Sequence, residues 1–302
     1  MQARIGLPQG LLYYQYGAVW ERFFRELGSE VVVSGETTRE TLDAGSVLDE
    51  ICLPAKVYYG HTAKLYHQVD YLFVPRVISV QKGQYTCPKI IGMPDMLRTN
   101  IKALPPIIDI DVNLRQSSRN LYQSVTTVGK MVGKNAITSM AAWYKAWTQR
   151  DQPSTCLTNG GQQPSVALIG HPYLIYDRQM SMSVMNKLQQ MGLTVFTPEM
   201  VDSRTANQAA SILGKKIFWS SSHHLAGAAL ALMTGRNPVK GIIFMTCFAC
   251  GPDALIGELI AQRAGSLNIP CMHLSIDEHT AEAGFITRLE AFTDMLTRRW
   301  RQ

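Results

Sequence analysis

The stretch "ARIGLPQGLLYYQYGAVWERFFRELGSEVVVSGETT", residues 3–38, carries two periodicities in one run. A short apolar segment and a Gly/Pro turn come first. Val19, Phe23, Phe24 and Leu27 then recur at the spacing that sets apolar side chains on one face of a helix. Gly28 supplies a helix stop, and "EVVV" resumes an extended pattern. The segment reads as strand, helix, strand. Residues 165–200, "SVALIGHPYLIYDRQMSMSVMNKLQQMGLTVFTPEM", repeat that order, with "GHP" standing where the first copy has "GLP", Met185 and Leu188 on the helix, and Gly192 at its end. Two such βαβ units imply parallel strands joined by right-handed crossovers, so the expected fold is α/β, two Rossmann-like domains with parallel sheets and a helical linker segment between them.

The later part of each half corresponds as well. "VDYLFVPRVISV" (69–80) is a strand that leads into "QKGQYTCPKIIGMPDMLR", and residues 239–277 give a strand, the cysteine-bearing loop "CFACGPD", a helix and another strand. In both halves a cysteine follows the carboxyl end of a strand, the edge at which open parallel sheets bind ligands. Residues 112–150 are polar-rich with helical periodicity, and "DQPSTCLTNGGQQPS" (151–165) has the composition of a linker. The expected division is an N-terminal Rossmann-like domain with an added helical segment over 1–150, a linker over 151–165, and a C-terminal Rossmann-like domain over 166–302.

A chain of 302 residues with 46% hydrophobic content can bury a core in each half. Its net charge of +6 is spread along the sequence. The one basic cluster, "RRWR" at 298–301, reads as a solvated helix end that suits the C-terminal dipole, so no nucleic-acid partner is expected. There is no leader pattern and no uninterrupted apolar run of roughly 18 to 20 residues, which points to a cytoplasmic protein without a membrane partner.

Six cysteines in such a chain read as thiols rather than as a disulfide framework. Cys52, Cys87 and Cys250 share one setting, the start of a helix with a proline in its first turn (Pro54, Pro88, Pro252). There the dipole and the backbone N–H groups favour a thiolate, as in reactive and metal-bound cysteines. Several chemistries stay open on the residues alone. "CFAC" could be a redox pair; zinc would require a fourth ligand from Cys247, His61, His223 or His224; an iron–sulfur cluster on three thiolates would leave one iron open. Cys271 reads as strand core, and Cys156 as an incidental linker thiol. Adjacent His223 and His224 point in different directions. Asp95 and Asp253 read as helix caps, and "DEH" at 277–279 as strand-end capping or as the lining of a site. Lys56, Arg76 and Lys89 lie beside the cysteines, as solvated charges or as groups facing an anion. No GxGxxG or Walker-type loop occurs, so ATP hydrolysis through a P-loop is not expected of these residues.

Taken together, "IGLPQGLLYY", "DEICLPAKVYYGH" (49–61), "DYLFVPRVISV" with "YTCPKIIGMPD" (70–95), "CFACGPD" (247–253) and "DEHTAEAGFITRLEAFTDML" (277–296) are more specific than any CxxC. On these pieces the chain resembles the acyl-CoA dehydratase activase-related proteins, allied to the 2-hydroxyacyl-CoA dehydratase and benzoyl-CoA reductase subunits and to double-cubane cluster proteins. The resemblance implies an iron–sulfur cluster, 4Fe–4S or double cubane, with Cys52, Cys87 and Cys250 as ligands and Cys247 as a substitute or fourth ligand. It implies a separate ATP-hydrolysing iron–sulfur activator as electron donor, an acyl-CoA-type substrate, and pairing of two cluster-bearing subunits. A non-catalytic cluster carrier or scaffold for that activator, and a zinc-stabilised or cluster-free binding protein, are the alternative expectations.

Overall fold

In a computed structural model, which describes residues 2–48, 50–150, 163–214 and 216–301, the chain forms two compact units, Met1–Gln152 and Pro153–Gln302. The expected linker, with Cys156, lies outside the described residues as far as residue 162. No helix among the described residues is long and apolar enough to cross a membrane.

The N-terminal unit contains β1 (Arg4–Leu7), β2 (Glu30–Val33), β3 (Tyr71–Phe73), β4 (Arg76–Ser79), β5 (Ile107–Ile108) and β6 (Asp111–Asn113). All pairings are parallel, in the order β2-β1-β3-β5, with β4 and β6 paired separately. "VDYLFVPRVISV" is thus two strands where the sequence reads as one. Pro75 has no N–H to give to the ladder and interrupts it. The path nevertheless continues, since the Val74 and Arg76 N–H groups donate to the carbonyls of Ile108 and Ile110. Counting β3–β4 and β5–β6 as single paths, the strand order is 2-1-3-4. The helix Tyr13–Glu26 buries Val19, Phe23 and Phe24 against this sheet, as its spacing predicts, and ends at Gly28 in the left-handed conformation. The helices Arg119–Met131 and Ala136–Thr148 are part of the same core through Val125, Val128, Ala142 and Ala146, so they belong to this unit rather than to a connector.

The C-terminal unit contains β7 (Ser165–Ile169), β8 (Thr194–Phe196), β9 (Gly241–Cys247) and β10 (Cys271–Ile276), again all parallel, in the order β10-β9-β7-β8. Numbered within the unit, this is the same 2-1-3-4 order, so the repeat read from the sequence is a repeat of topology. β7 is buried along its whole length and β9 nearly so, the pattern of parallel strands covered on both faces. In the helix Val184–Gln190 it is Val184 and Leu188 that are buried, and Met185 is only partly covered.

Doubly wound sheets of this order have a switch point between their first and third strands, where crossovers leave in opposite directions and open a crevice at the carboxyl edge. In the C-terminal unit that point lies between the ends of β7 and β9.

Candidate functional site

Two loops meet at this switch point. After Ile169, the last residue of β7, the chain turns through Gly170, where an added Cβ would lie 2.8 Å from the Met245 carbonyl oxygen of β9. That close approach brings the next residue, His171, against the neighbouring loop. His171 begins the short helix Pro172–Ile175. After β9, the Cys250 N–H donates to the Cys247 carbonyl at 3.2 Å, closing a turn that holds Ala249 at φ 66°. A left-handed alanine stores backbone strain, and here the strained turn returns Cys250 toward Cys247 at the head of the helix Gly251–Ser266.

His171, Cys250 and Asp253 come together there, with one donor atom of each within 4.8 Å of the others; Asp253 sits in the first turn of that helix. The His171 Nε2 lies 2.9 Å from Asp253 Oδ1, and the Thr246 hydroxyl donates to Oδ2 at 3.4 Å. Asp253 is fully buried and His171 nearly so. Burial opposes an imidazolium, but the Asp253 carboxylate outweighs it and the histidine pKa is raised. Burial likewise opposes the Asp253 carboxylate, and His171 reverses that, so its pKa is lowered. The Cys250 thiol is drawn down to about 6, first by the hydrogen bond from Cys247, against burial, and further by His171. Asp253 is thus held as a carboxylate, His171 is biased toward its imidazolium and Cys250 toward its thiolate, an arrangement suited to a nucleophilic thiolate; His171 could serve as a metal ligand only after giving up its proton. Cys247 is 4% exposed as the last residue of β9, whereas Cys250 is partly accessible.

Cys52 and Cys87, in the N-terminal unit, occupy the cap positions that the sequence predicts, the residues before the helices Leu53–Lys64 and Pro88–Ile91. With Cys250 they share an extended backbone (ψ 145°, 138° and 95°), a proline in the following turn and a partly buried thiol. The Cys52 helix is fixed by a crossing with the helix Arg39–Gly45, where an added Cβ at Gly60 would lie 1.8 Å from the Thr41 carbonyl oxygen and one at Gly45 2.0 Å from that of Lys56. The Cys87 turn is held by Arg76, whose guanidinium donates to the Ile91 carbonyl at 3.0 Å and to both Asp95 oxygens at 2.7 and 2.9 Å.

Several expectations change accordingly. Arg76 is neither solvated nor facing an anion site, because Asp95, Asp109 and Asp111 surround it. Lys56 is buried, not a solvated charge. Asp95 and Asp253 are not the cap residues: each is the third residue of its helix, within the first turn, and their carboxylates are taken by Arg76 and His171. His61 is no fourth ligand, since both ring nitrogens are engaged at 2.9 Å, Nδ1 with Ser34 and Nε2 with Thr37. Nε2 of His223 meets Asn207 and that of His224 meets the Pro198 carbonyl, on a helix, Ser220–Thr234, that already contains both residues. Cys271 packs against the core as expected, and burial pushes its thiol up to about 11. The Asp277 carboxylate accepts from the Thr280 hydroxyl and the His279 N–H, the local turn expected of "DEH". His171 was not a candidate in the sequence. The signal that could have found it is the repeat itself, because an ionisable residue stands in "GHP" where "GLP" carries Leu7.

Residues 4–201, about two thirds of the chain, match the model of a protein family described as the CoA enzyme activase uncharacterised domain. The chain belongs to that family. It is thus an activase-related protein. The matched region contains Cys52, Cys87 and His171 and ends before Cys247, Cys250 and Asp253. The chain is also similar to an uncharacterised protein of Methanocaldococcus jannaschii, 27% identical over 115 residues, which is 37% of this chain and 27% of that protein.

Proposed function

We propose that this activase-related chain is an iron–sulfur protein allied to the 2-hydroxyacyl-CoA dehydratase subunits. It would receive low-potential electrons from a separate ATP-hydrolysing activator and serve the reduction or dehydration of an acyl-CoA-type substrate. The observation that carries this reading is the shared stereochemistry of Cys52, Cys87 and Cys250. Each is a partly buried thiol at the residue before a proline-bearing helical turn, with an extended backbone and no conventional side-chain cap. Thiols at such positions ionise readily, and three thiolates are the ligands of a cluster that leaves one iron open.

A bound cluster, 4Fe–4S or double cubane, supplies one-electron chemistry at low potential. The chain's own residues do the rest. The Cys247 thiol and the His171 imidazolium donate toward the Cys250 sulfur, and such hydrogen bonds stabilise an anionic sulfur. Asp253 fixes the imidazole through Nε2. The buried position of Cys247 suits a donor to Cys250 better than a fourth ligand. ATP hydrolysis is assigned to the partner on the resemblance to the dehydratase systems, and these 302 residues contain no P-loop pattern.

The test is the iron and acid-labile sulfide content, with EPR after dithionite reduction, of anaerobically prepared wild type and of the Cys52→Ala, Cys87→Ala, Cys247→Ala and Cys250→Ala variants. The expected result is loss of the cluster in every variant except Cys247→Ala. Iron-free wild type after anaerobic reconstitution, or stoichiometric zinc despite available iron, would overturn the proposal. A cluster that forms and cycles but supports no turnover with an activator and acyl-CoA thioesters would reduce it to a cluster carrier.

A further inference from the structure

The N-terminal unit has a half-open pocket of about 110 Å³ that no cysteine lines. Its origin is topological. β1 pairs with β3 only as far as Gly6 opposite Leu72, whereas β4 and β6 run on as a two-stranded extension. The helices that cover the four-stranded part leave a gap above this overhang. Phe73, Val77 and Val112 form its floor, and Trp20, Val128 and Trp143 form the wall above. Trp147, 39% exposed and stacked on Trp143, lies at its outer end.

The lining is almost entirely hydrocarbon. The Ser124 hydroxyl is turned away into the backbone, donating to the carbonyls of Asp111 and Asn120. A site with so few open polar partners holds water poorly, and apolar cavities of about 150 Å³ stay dry and take up benzene.

From this we infer that the N-terminal unit binds a compact, neutral hydrocarbon group, one aromatic ring or a short branched chain, in the cavity between the β4–β6 extension and the helices Tyr13–Glu26, Arg119–Met131 and Ala136–Thr148. The group is either a whole small molecule or the apolar end of a larger amphiphile whose polar part stays outside beside Trp147. This site is independent of the cluster proposal.

The experiment titrates the full-length protein with toluene and, separately, with 4-phenylbutyrate, following tryptophan fluorescence, the thermal midpoint and methyl NMR shifts. Trp20, Trp143 and Trp147 place three indoles on the cavity wall as reporters. Toluene is expected to bind saturably, to raise the midpoint, and to shift the methyl signals of Val77, Val112 and Val128 selectively. Saturable binding of 4-phenylbutyrate with the same shifts identifies the amphiphile's end as the ligand; binding of toluene alone identifies the small molecule. Val112→Phe fills the space from the floor and Leu114→Phe from two residues further along, and each should weaken toluene binding tenfold or more. If both variants misfold, the wild-type NMR decides by itself. Shifts that do not saturate, or that scatter over both units, overturn the inference, as does a folded Val112→Phe that binds toluene like wild type.

Discussion

Replacing His171 with phenylalanine tests the idea that the switch point of the C-terminal unit is built on a buried ion pair. The substitution keeps a planar ring of similar size and removes the group 2.9 Å from Asp253. Asp253 is 0% exposed and would keep only neutral partners, the Cys250 thiol and the Thr246 hydroxyl at 3.4 Å. Breaking a buried pair by deleting one partner costs about 3–5 kcal/mol, a large part of the roughly 5–15 kcal/mol that holds a domain together. For a unit of about 150 residues, at roughly 2–4 °C per kcal/mol, the midpoint should fall by about 6–20 °C. The double variant His171→Phe, Asp253→Leu removes the stranded charge and should recover most of the loss, since a buried pair replaced by apolar groups is often nearly neutral. The assay is thermal and urea denaturation of metal-free protein, followed by the fluorescence of Trp219 and Trp300, both in the C-terminal unit. The deficit should also shrink at acid pH, where the stranded carboxyl takes up a proton and burial no longer opposes a charge. A single variant within about 1 kcal/mol of wild type, or a double variant as unstable as the single, would refute the reasoning.

Three further outcomes are expected. His61 is buried and its pKa is lowered to about 4, first by burial and then by Lys64, so it is neutral when folded, while the unfolded chain takes up a proton near pH 6.5. Its contribution is complete above pH 6.5 and is lost as pH falls through about 4, on the order of 3 kcal/mol over that window, and pH-dependent urea melts of His61→Gln should lack this slope. Gly60→Ala drives a methyl into the Thr41 carbonyl and should destabilise the N-terminal unit by about 3 kcal/mol, the upper end for overpacking, as read by guanidinium denaturation. Ala249→Gly relieves the left-handed strain at φ 66° and should stabilise the metal-free protein by about 0.5–1 kcal/mol after the entropy of glycine is subtracted; calorimetry showing a loss would mean that the turn is not strained.

Local physics made much of this protein legible in its sequence. The alternation between strand and helix periodicity from Arg4 to Val33 and from Ser165 to Phe196, with stops at Gly28 and Gly192, was sufficient for the βαβ units, and both halves fold with the same parallel strand order. The helix-start positions of Cys52, Cys87 and Cys250 were equally legible, because a proline in the first turn is a signal one or two residues away. The placement of Cys247 at the end of its strand follows from the same adjacency.

What the sequence could not supply are contacts over long separations. His171 and Asp253 are 82 residues apart and meet only because β7 and β9 are neighbours in the sheet, so a residue that reads as a helix cap becomes half of a buried ion pair. Arg76 reads as a charge beside a cysteine until the fold surrounds it with three aspartates. His61 reads as a ligand candidate until Ser34 and Thr37 take both its nitrogens. The cavity over the β4–β6 extension exists because one strand stops short of its neighbours, which no local pattern records. Periodicity and capping act between near neighbours and are therefore written along the chain. The pairing of buried charges and the filling of space depend on which strands lie side by side, and tertiary structure alone decides that.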